Sequence, residues 1–196
     1  MTELIPLLQK IEQCRLCEAH LPHQPRPVVR ASTSAKLLIV GQAPGRKVHE
    51  SGIPWNDPSG KRLRSWLKMN DDEFYHVGNV AIIPMGFCYP GTGKSGDLPP
   101  RPECAPQWHN ALLQQLPDIR LTLLIGQYAQ KAYLPDDYQK RYKTLTERVQ
   151  HQHELPESLF VLPHPSPRNQ LWLKRNPWFE EDTLPRLRNR LATQDQ

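Results

Sequence analysis

The sequence predicts a three-layer α/β/α fold in which a central four-stranded parallel sheet lies between helices. Two observations lead to this prediction: four short segments are continuously apolar, and segments with helical periodicity lie between them. A continuous apolar run is typical of a strand buried on both faces, as in a parallel sheet. Because 196 residues fit one domain, we treat residues 1–196 as a single domain.

The predicted strands are four or five residues long, and a turn residue bounds each of them. In chain order they are Lys36–Val40, Val80–Ile83, Leu121–Ile125 and Leu159–Leu162. Helical patterns occupy about Leu4–Gln13, Lys61–Met69, Ala105–Leu116, Gln127–Tyr133 and Trp178–Leu191. Strands that alternate with helices favour parallel pairing, because each helix returns the chain to the start of the next strand.

The composition excludes several classes of protein. The chain has 21 prolines and 10 glycines, but their combined fraction stays below the fraction that marks low-complexity disorder. No apolar segment approaches the roughly 18 residues of a membrane span, and Met1–Ile11 lacks the basic start and cleavage site of a signal peptide. We therefore expect a cytoplasmic monomer without a membrane partner. The net charge of +5 permits nucleic-acid binding without requiring it.

Polar, proline-containing loops follow the predicted strands. They are Gly41–Gly45, Pro84–Cys88, Gly126–Gln127 and His164–Asn169. In open α/β sheets the ligand crevice lies outside the carboxyl ends of the strands, so these loops predict an active site. The first loop lacks the Gly-x-Gly-x-x-Gly fingerprint of dinucleotide binding. Gly93-Lys94-Ser95 is not a P-loop, because Cys88 stands where that motif needs its first glycine.

The cysteines predict a metal site. The chain has four of them, two close together and two far apart: Cys14, Cys17, Cys88 and Cys104. Thiols stay reduced in the cytoplasm, and four thiolates suit either zinc or an iron–sulfur cluster. A zinc site built from the first pair with His20 and His23 leaves the second pair unexplained. Four buried free cysteines are the remaining alternative.

Three motifs together resemble those of a known family. Gly41-Gln42-Ala43-Pro44-Gly45 and His164-Pro165-Ser166 look like the two signature motifs of the uracil-DNA glycosylase superfamily. The stretch 51–60 and the four cysteines are similar to those of its iron–sulfur branch, family 4. The resemblance implies a [4Fe–4S] cluster and a DNA substrate. It also implies hydrolysis of the bond between deoxyribose and uracil, or a related deaminated base, after base flipping.

The resemblance also implies roles for single residues. His164 would donate a hydrogen bond to the departing base, and Trp55 would stack on that base. Gln42 and Ala43 would line the base pocket, with Gln42 also able to orient water. Asn79 would read the pyrimidine edge, because its amide donates and accepts at once.

The first motif departs from the family, which has a carboxylate where this chain has Gln42 or Ala43. Asp57 is the nearest candidate to replace it, and Glu50 is the second. Asp57 also precedes Pro58, which is typical of a helix N-cap, so both interpretations stay open.

DNA contact is expected from Arg46 and Lys47 after the first motif, and from Ser166 and Arg168 after the last strand. The missing carboxylate leaves a second function open. The chain would then bind damaged or single-stranded DNA with very slow turnover or none. The polar segment from about residue 135 to 156 has no role that the sequence assigns.

Overall fold

The computed structural model describes residues 3–193. It confirms the predicted three-layer fold: four parallel strands form one sheet, and helices flank it. The strands are β1 (Leu37–Val40), β2 (Val80–Ile82), β3 (Thr92–Gly93), β4 (Gly96–Asp97), β5 (Leu121–Ile125) and β6 (Leu159–Leu162). The order in the parallel sheet is β2-β1-β5-β6, and β3 and β4 form a separate hairpin that was not predicted.

The helices are mostly short, and several of them were not predicted. They are α1 (Leu4–Glu12), α2 (Arg46–Ser51), α3 (Pro58–Leu67), α4 (Asp71–Phe74), α5 (Cys104–Gln114), α6 (Gln127–Tyr133), α7 (Asp136–Arg141), α8 (Leu145–Gln150), α9 (Gln170–Arg175) and α10 (Leu184–Thr193). Within residues 3–193, no helix has both the length and the apolar character to cross a membrane.

The strands are buried on both faces, as their apolar runs predicted. All four residues of β1 are at most 3% exposed, and four of the five residues of β5 are fully buried. β1 pairs with β2 and with β5, so it lies inside the sheet, and Ile39 is opposite Ile82 on one side and Leu123 on the other. The sheet is therefore the centre of the core, and it fixes the positions of the loops that follow its strands.

The last helix differs from its prediction. A π-helical turn, Phe179–Thr183, precedes α10, whereas the pattern predicted one continuous helix from about Trp178. Pro185 explains the difference, because proline has no N–H to donate and its ring crowds the carbonyl four residues earlier. A wider turn at this point relieves that crowding.

The segment without an assigned role packs against the sheet. It contains α7 and α8, and Thr144 and Glu147 form a reciprocal capping box at the start of α8. The buried amide of Gln152 pairs with the edge strand β6: it accepts from the Val161 N–H at 2.9 Å and donates to the Val161 carbonyl at 3.2 Å. The side chain thus satisfies backbone groups that an edge strand would otherwise leave unpaired.

Candidate active site

The loops after β1 and β6 meet at one small pocket. Gln42, Ala43, Trp55 and His164 line it, together with Pro84 at the carboxyl end of β2, and its volume is about 40 Å³. The structure therefore brings together four of the site residues that the sequence singled out. They meet because the carboxyl ends of parallel strands share one edge of the sheet.

Trp55 is held in a strained position beside this pocket. Its φ of +59° lies in the left-handed region, which non-glycine residues seldom adopt. Its carbonyl accepts from Arg64 Nη1 at 3.0 Å, and its ring centroid lies 5.7 Å from that of His164. A Cβ on Gly41 would come within 2.8 Å of the Trp55 ring. The first motif therefore needs glycine at position 41 for the indole to lie over it.

The hydrogen bonds of His164 define its tautomer. The Ser166 backbone N–H donates to His164 Nδ1 at 3.2 Å, so the neutral ring carries its proton on Nε2. Asn169 donates to the His164 carbonyl at 2.7 Å and fixes the loop. Burial lowers the pKa of His164, and Asp57 and Asp97 only partly oppose this shift. The side chain is thus a neutral N–H donor at the pocket.

Asp57 is an N-cap. Its Oδ1 accepts from the Gly60 N–H at 2.7 Å, its backbone is extended, and Pro58 begins α3. This confirms the capping interpretation, and the carboxylate is still close enough to His164 to influence its pKa. Glu50 instead forms an exposed ion pair with Arg46 at 3.2 Å.

Asn79 does not lie at this site, which corrects the role predicted for it. It precedes β2 at the amino edge of the sheet, where its carbonyl accepts from the N–H groups of Lys36 and Leu37, each at 3.0 Å. The three residues of β2 span roughly 10 Å, so the two ends of the strand are far apart. The residue after β2 that does line the pocket is Pro84. The sequence could have indicated it, because the end of the predicted strand, and not its start, faces the site.

The buried His109 supports the Pro84 wall of the pocket. Its Nε2 donates to the Pro84 carbonyl at 2.7 Å, so its Nδ1 accepts from the Tyr133 hydroxyl. Burial lowers the pKa of His109, so the ring stays neutral and keeps both hydrogen bonds. The sequence pattern did not single out this residue, because it lies on the buried face of a helix.

Arg168 contacts the protein itself. Its guanidinium donates to the Ser95 carbonyl in the β3–β4 turn, and its N–H donates to Ser166 Oγ at 3.2 Å. Arg168 thus links the His164 loop to the hairpin. The side chain is exposed, and its contact with a DNA phosphate stays a prediction. Arg46 and Lys47 are exposed on α2, directly after the first loop.

A larger open cleft of about 930 Å³ adjoins the pocket. Gln42 and His164 lie on its wall, and the segment from α6 to α8 contributes four cationic side chains: Lys131, Lys140, Lys143 and Arg148. Asp136 is the one acidic residue of that wall within residues 3–193. The sequence did not predict this basic surface, because its charges are dispersed along the chain.

The four cysteines line one cavity with apolar walls. The Phe87 N–H donates to Cys104 Sγ at 3.4 Å. Burial raises the pKa of Cys88 to about 11 and that of Cys104 to about 12, and the neighbouring thiols add to both shifts. Burial and Glu103 raise the pKa of Cys17. A positively charged group would be needed to keep all four as thiolates.

The cavity also has an unpaired donor. Trp108 forms part of its wall, and Trp108 Nε1 is buried without a hydrogen-bond partner among residues 3–193. In the same part of the chain, no three His, Cys, Asp or Glu side chains are close enough to hold a single metal ion. His23 stacks on His49 and Tyr89, and neither His20 nor His23 lines the cavity. The thiols that this cavity brings together are therefore those of Cys14, Cys17, Cys88 and Cys104, without a histidine.

The chain also matches the model of a known protein family. A family model described as the uracil DNA glycosylase superfamily matches residues 29–188. The match spans both signature loops, the Trp55 stretch and all four strands of the parallel sheet. Cys14 and Cys17 lie outside it.

Proposed function

Because the chain belongs to the uracil-DNA glycosylase superfamily, we propose that it hydrolyses the N-glycosidic bond of uracil, or of a related deaminated base, in DNA. One observation carries the proposal: Trp55, Gln42 and a neutral His164 meet at one pocket on the carboxyl edge of the sheet.

The chemistry begins with base flipping, since the glycosidic bond is inaccessible inside a base stack. The Trp55 ring would stack on the flipped base, which is worth roughly 1–3 kcal/mol. The base leaves with the electron pair of the broken bond, and the Nε2–H of His164 would stabilise that charge. A donor of this kind contributes about 2.7–4 kcal/mol to the transition state.

The basic cleft provides a path for the DNA strand. It joins the pocket through Gln42 and His164, and its lysines would neutralise backbone phosphates. Arg46 and Lys47 would add contacts beside the first loop. Ser166 and Arg168, on the loop after β6, would lie near the DNA backbone, and Arg168 also donates to the Ser95 carbonyl.

We further propose that the chain belongs to the iron–sulfur branch of the family, with Cys14, Cys17, Cys88 and Cys104 holding a [4Fe–4S] cluster. Their shared cavity, the Phe87 N–H on Cys104 and the unpaired Trp108 N–H support this. When bound, the cluster would supply an electron-accepting centre and a covalent link between the N-terminal segment and α5. Zinc is the alternative.

The direct test uses oligonucleotides that carry uracil, hypoxanthine, xanthine or mismatched thymine, in single- and double-stranded form. We expect alkali-labile abasic sites with uracil, and roughly 100-fold to 1000-fold slower release by His164→Ala. His153→Ala, an exposed histidine, is the matched control. If no abasic site forms with any of these bases, the proposed glycosylase activity is wrong.

The second candidate function is binding of damaged DNA without turnover. It is favoured by one observation, the absence of a carboxylate at Gln42 and Ala43. Retention of uracil-containing DNA without any abasic product would support it.

A further inference from the structure

The hairpin β3–β4 brings a carboxylate to the open side of the candidate active site. Asp97 lines a cleft of about 630 Å³ together with Gln42, Ala43 and His164. A Cβ on Gly45, at the end of the first motif, would lie 3.3 Å from Asp97 Oδ2. The carboxylate therefore sits against the loop that lacks an acid of its own.

One contact ties the hairpin to the His164 loop, and two more shape the hairpin itself. Arg168, on the loop of His164, donates to the Ser95 carbonyl in the hairpin turn. The Leu98 N–H donates to the Gly91 carbonyl at 2.8 Å and closes the base of the hairpin. Thr92 Oγ1 donates to Asp97 Oδ1 at 3.3 Å, which leaves Oδ2 directed at the first motif.

We propose that Asp97 is the catalytic carboxylate of this enzyme and replaces the acid missing from Gln42-Ala43. The proposal rests on the glycosylase function proposed above. The other two candidates are occupied: Asp57 caps α3, and Glu50 pairs with Arg46 on the surface. Burial lowers the pKa of His164 while Asp57 and, to a smaller extent, Asp97 raise it, so both carboxylates lie near this ring, but Asp97 is the one that lines the open cleft.

The step attributed to Asp97 is proton transfer from water. The water oxygen forms a bond to C1′ of the deoxyribose while the N-glycosidic bond breaks, and that bond's electron pair leaves with the base. Asp97 takes one proton from the attacking water. The base anion, hydrogen-bonded by His164, takes a proton from solvent after departure. The carboxylate charge also stabilises the positive charge that develops on the sugar.

The experiment compares Asp97→Asn, Asp97→Ala and the control Asp118→Asn, an exposed acid in the turn before β5. Single-turnover base release is measured on the base that the wild type removes best, together with binding of DNA that carries a non-hydrolysable analogue. We expect both Asp97 variants to be at least 100-fold slower with binding changed less than threefold. Formate should partly restore the Asp97→Ala rate, and Asp118→Asn should match the wild type.

The outcomes separate the two proposals. Release by Asp97→Asn within threefold of the wild-type rate overturns the role of Asp97 and leaves the glycosylase function standing. A loss of rate that is matched by an equal loss of binding, without rescue by formate, overturns it too, since Asp97 would then only position the hairpin. No release by the wild type on any base overturns both.

Discussion

At the scale of single residues, hydrogen bonding decides what the site residues can do. His164 is a neutral donor because the Ser166 N–H occupies Nδ1 and burial disfavours the charged ring. Asp57 is a cap because its Oδ1 faces the Gly60 N–H. Neither fact follows from residue type alone, because the same histidine or aspartate serves other roles when its partners differ.

The cap of α3 gives a test at this scale. We expect Asp57→Ala to lower the free energy of unfolding by about 1 kcal/mol, whereas Asp57→Asn keeps the cap and the stability. If Asp97 is the catalytic acid, Asp57→Asn slows base release less than tenfold. Denaturant unfolding and single-turnover kinetics check the two statements separately. A 100-fold loss in Asp57→Asn would return the catalytic role to Asp57.

Trp108 gives a second test. Donors to a cluster's sulfur atoms favour its more negative, reduced form, so Trp108→Phe should shift the reduction potential of the proposed cluster to lower values. Trp172→Phe is the control, because its indole N–H donates to Thr146 instead. Redox titration of protein reconstituted with iron and sulfide measures the shift. An unchanged potential would mean that Trp108 donates no hydrogen bond to the cluster. A colourless protein that holds zinc would refute the cluster itself.

At the scale of elements, the loops owe their positions to the sheet beneath them. β1 and β6 are separated by β5, yet their carboxyl ends place Gln42 and His164 on one pocket. The hairpin reaches the same place through Arg168, from a position 73 residues away along the chain. Strand order thus selects which loops meet, and a single side chain adds the hairpin to them.

The segment from α6 to α8 allows a prediction about the affinity for DNA. Replacing Lys140 and Lys143 by glutamine should weaken DNA binding on every sequence and lower the slope of log K against log salt by about 2, because two phosphate contacts are lost. The control double variant, Lys36→Gln with Lys68→Gln, lies in the cleft at the amino edge of the sheet. If the wild type and the Lys140/Lys143 variant show the same slope of log K against log salt, the DNA does not bind along this cleft.

At the scale of the whole molecule, three histidines are held neutral by the fold. Burial is the main cause that lowers the pKa of His49, His109 and His164 below the usual 6.5. His49 lies on α2, His109 on α5 and His164 on the loop after β6, so the effect depends on how the folded chain packs these elements together. Protonation of any of them would cost folding free energy.

This predicts loss of stability in mild acid. Below about pH 6.5 the unfolded chain takes up protons that the folded chain does not, so the free energy of unfolding falls until the lowered pKa values are reached. Carboxylates such as Glu103, Glu147 and Glu154 have pKa values below 4.5 and add their effect only at lower pH. Urea unfolding at pH 7.5, 6.5 and 5.5 measures the change, and His109→Gln should flatten it. Equal stability at all three values would contradict the prediction.

The sequence by itself determined the strands and therefore the edge where the site lies. Lys36–Val40 and Val80–Ile83 were predicted to within one residue, because a strand buried on both faces has to be apolar at every position. The two signature loops followed from the same strands. These are local properties, and neighbouring residues are enough to specify them.

Only the tertiary structure decided which residues reach that edge from elsewhere. Asn79 precedes its strand and lies at the wrong end, while Asp97 and the lysines of the basic cleft come to the site from segments that show no strand pattern. Their positions depend on contacts between residues far apart in the chain, such as Arg168 with Ser95. Such contacts are fixed by packing in three dimensions, which no pattern of neighbouring residues encodes.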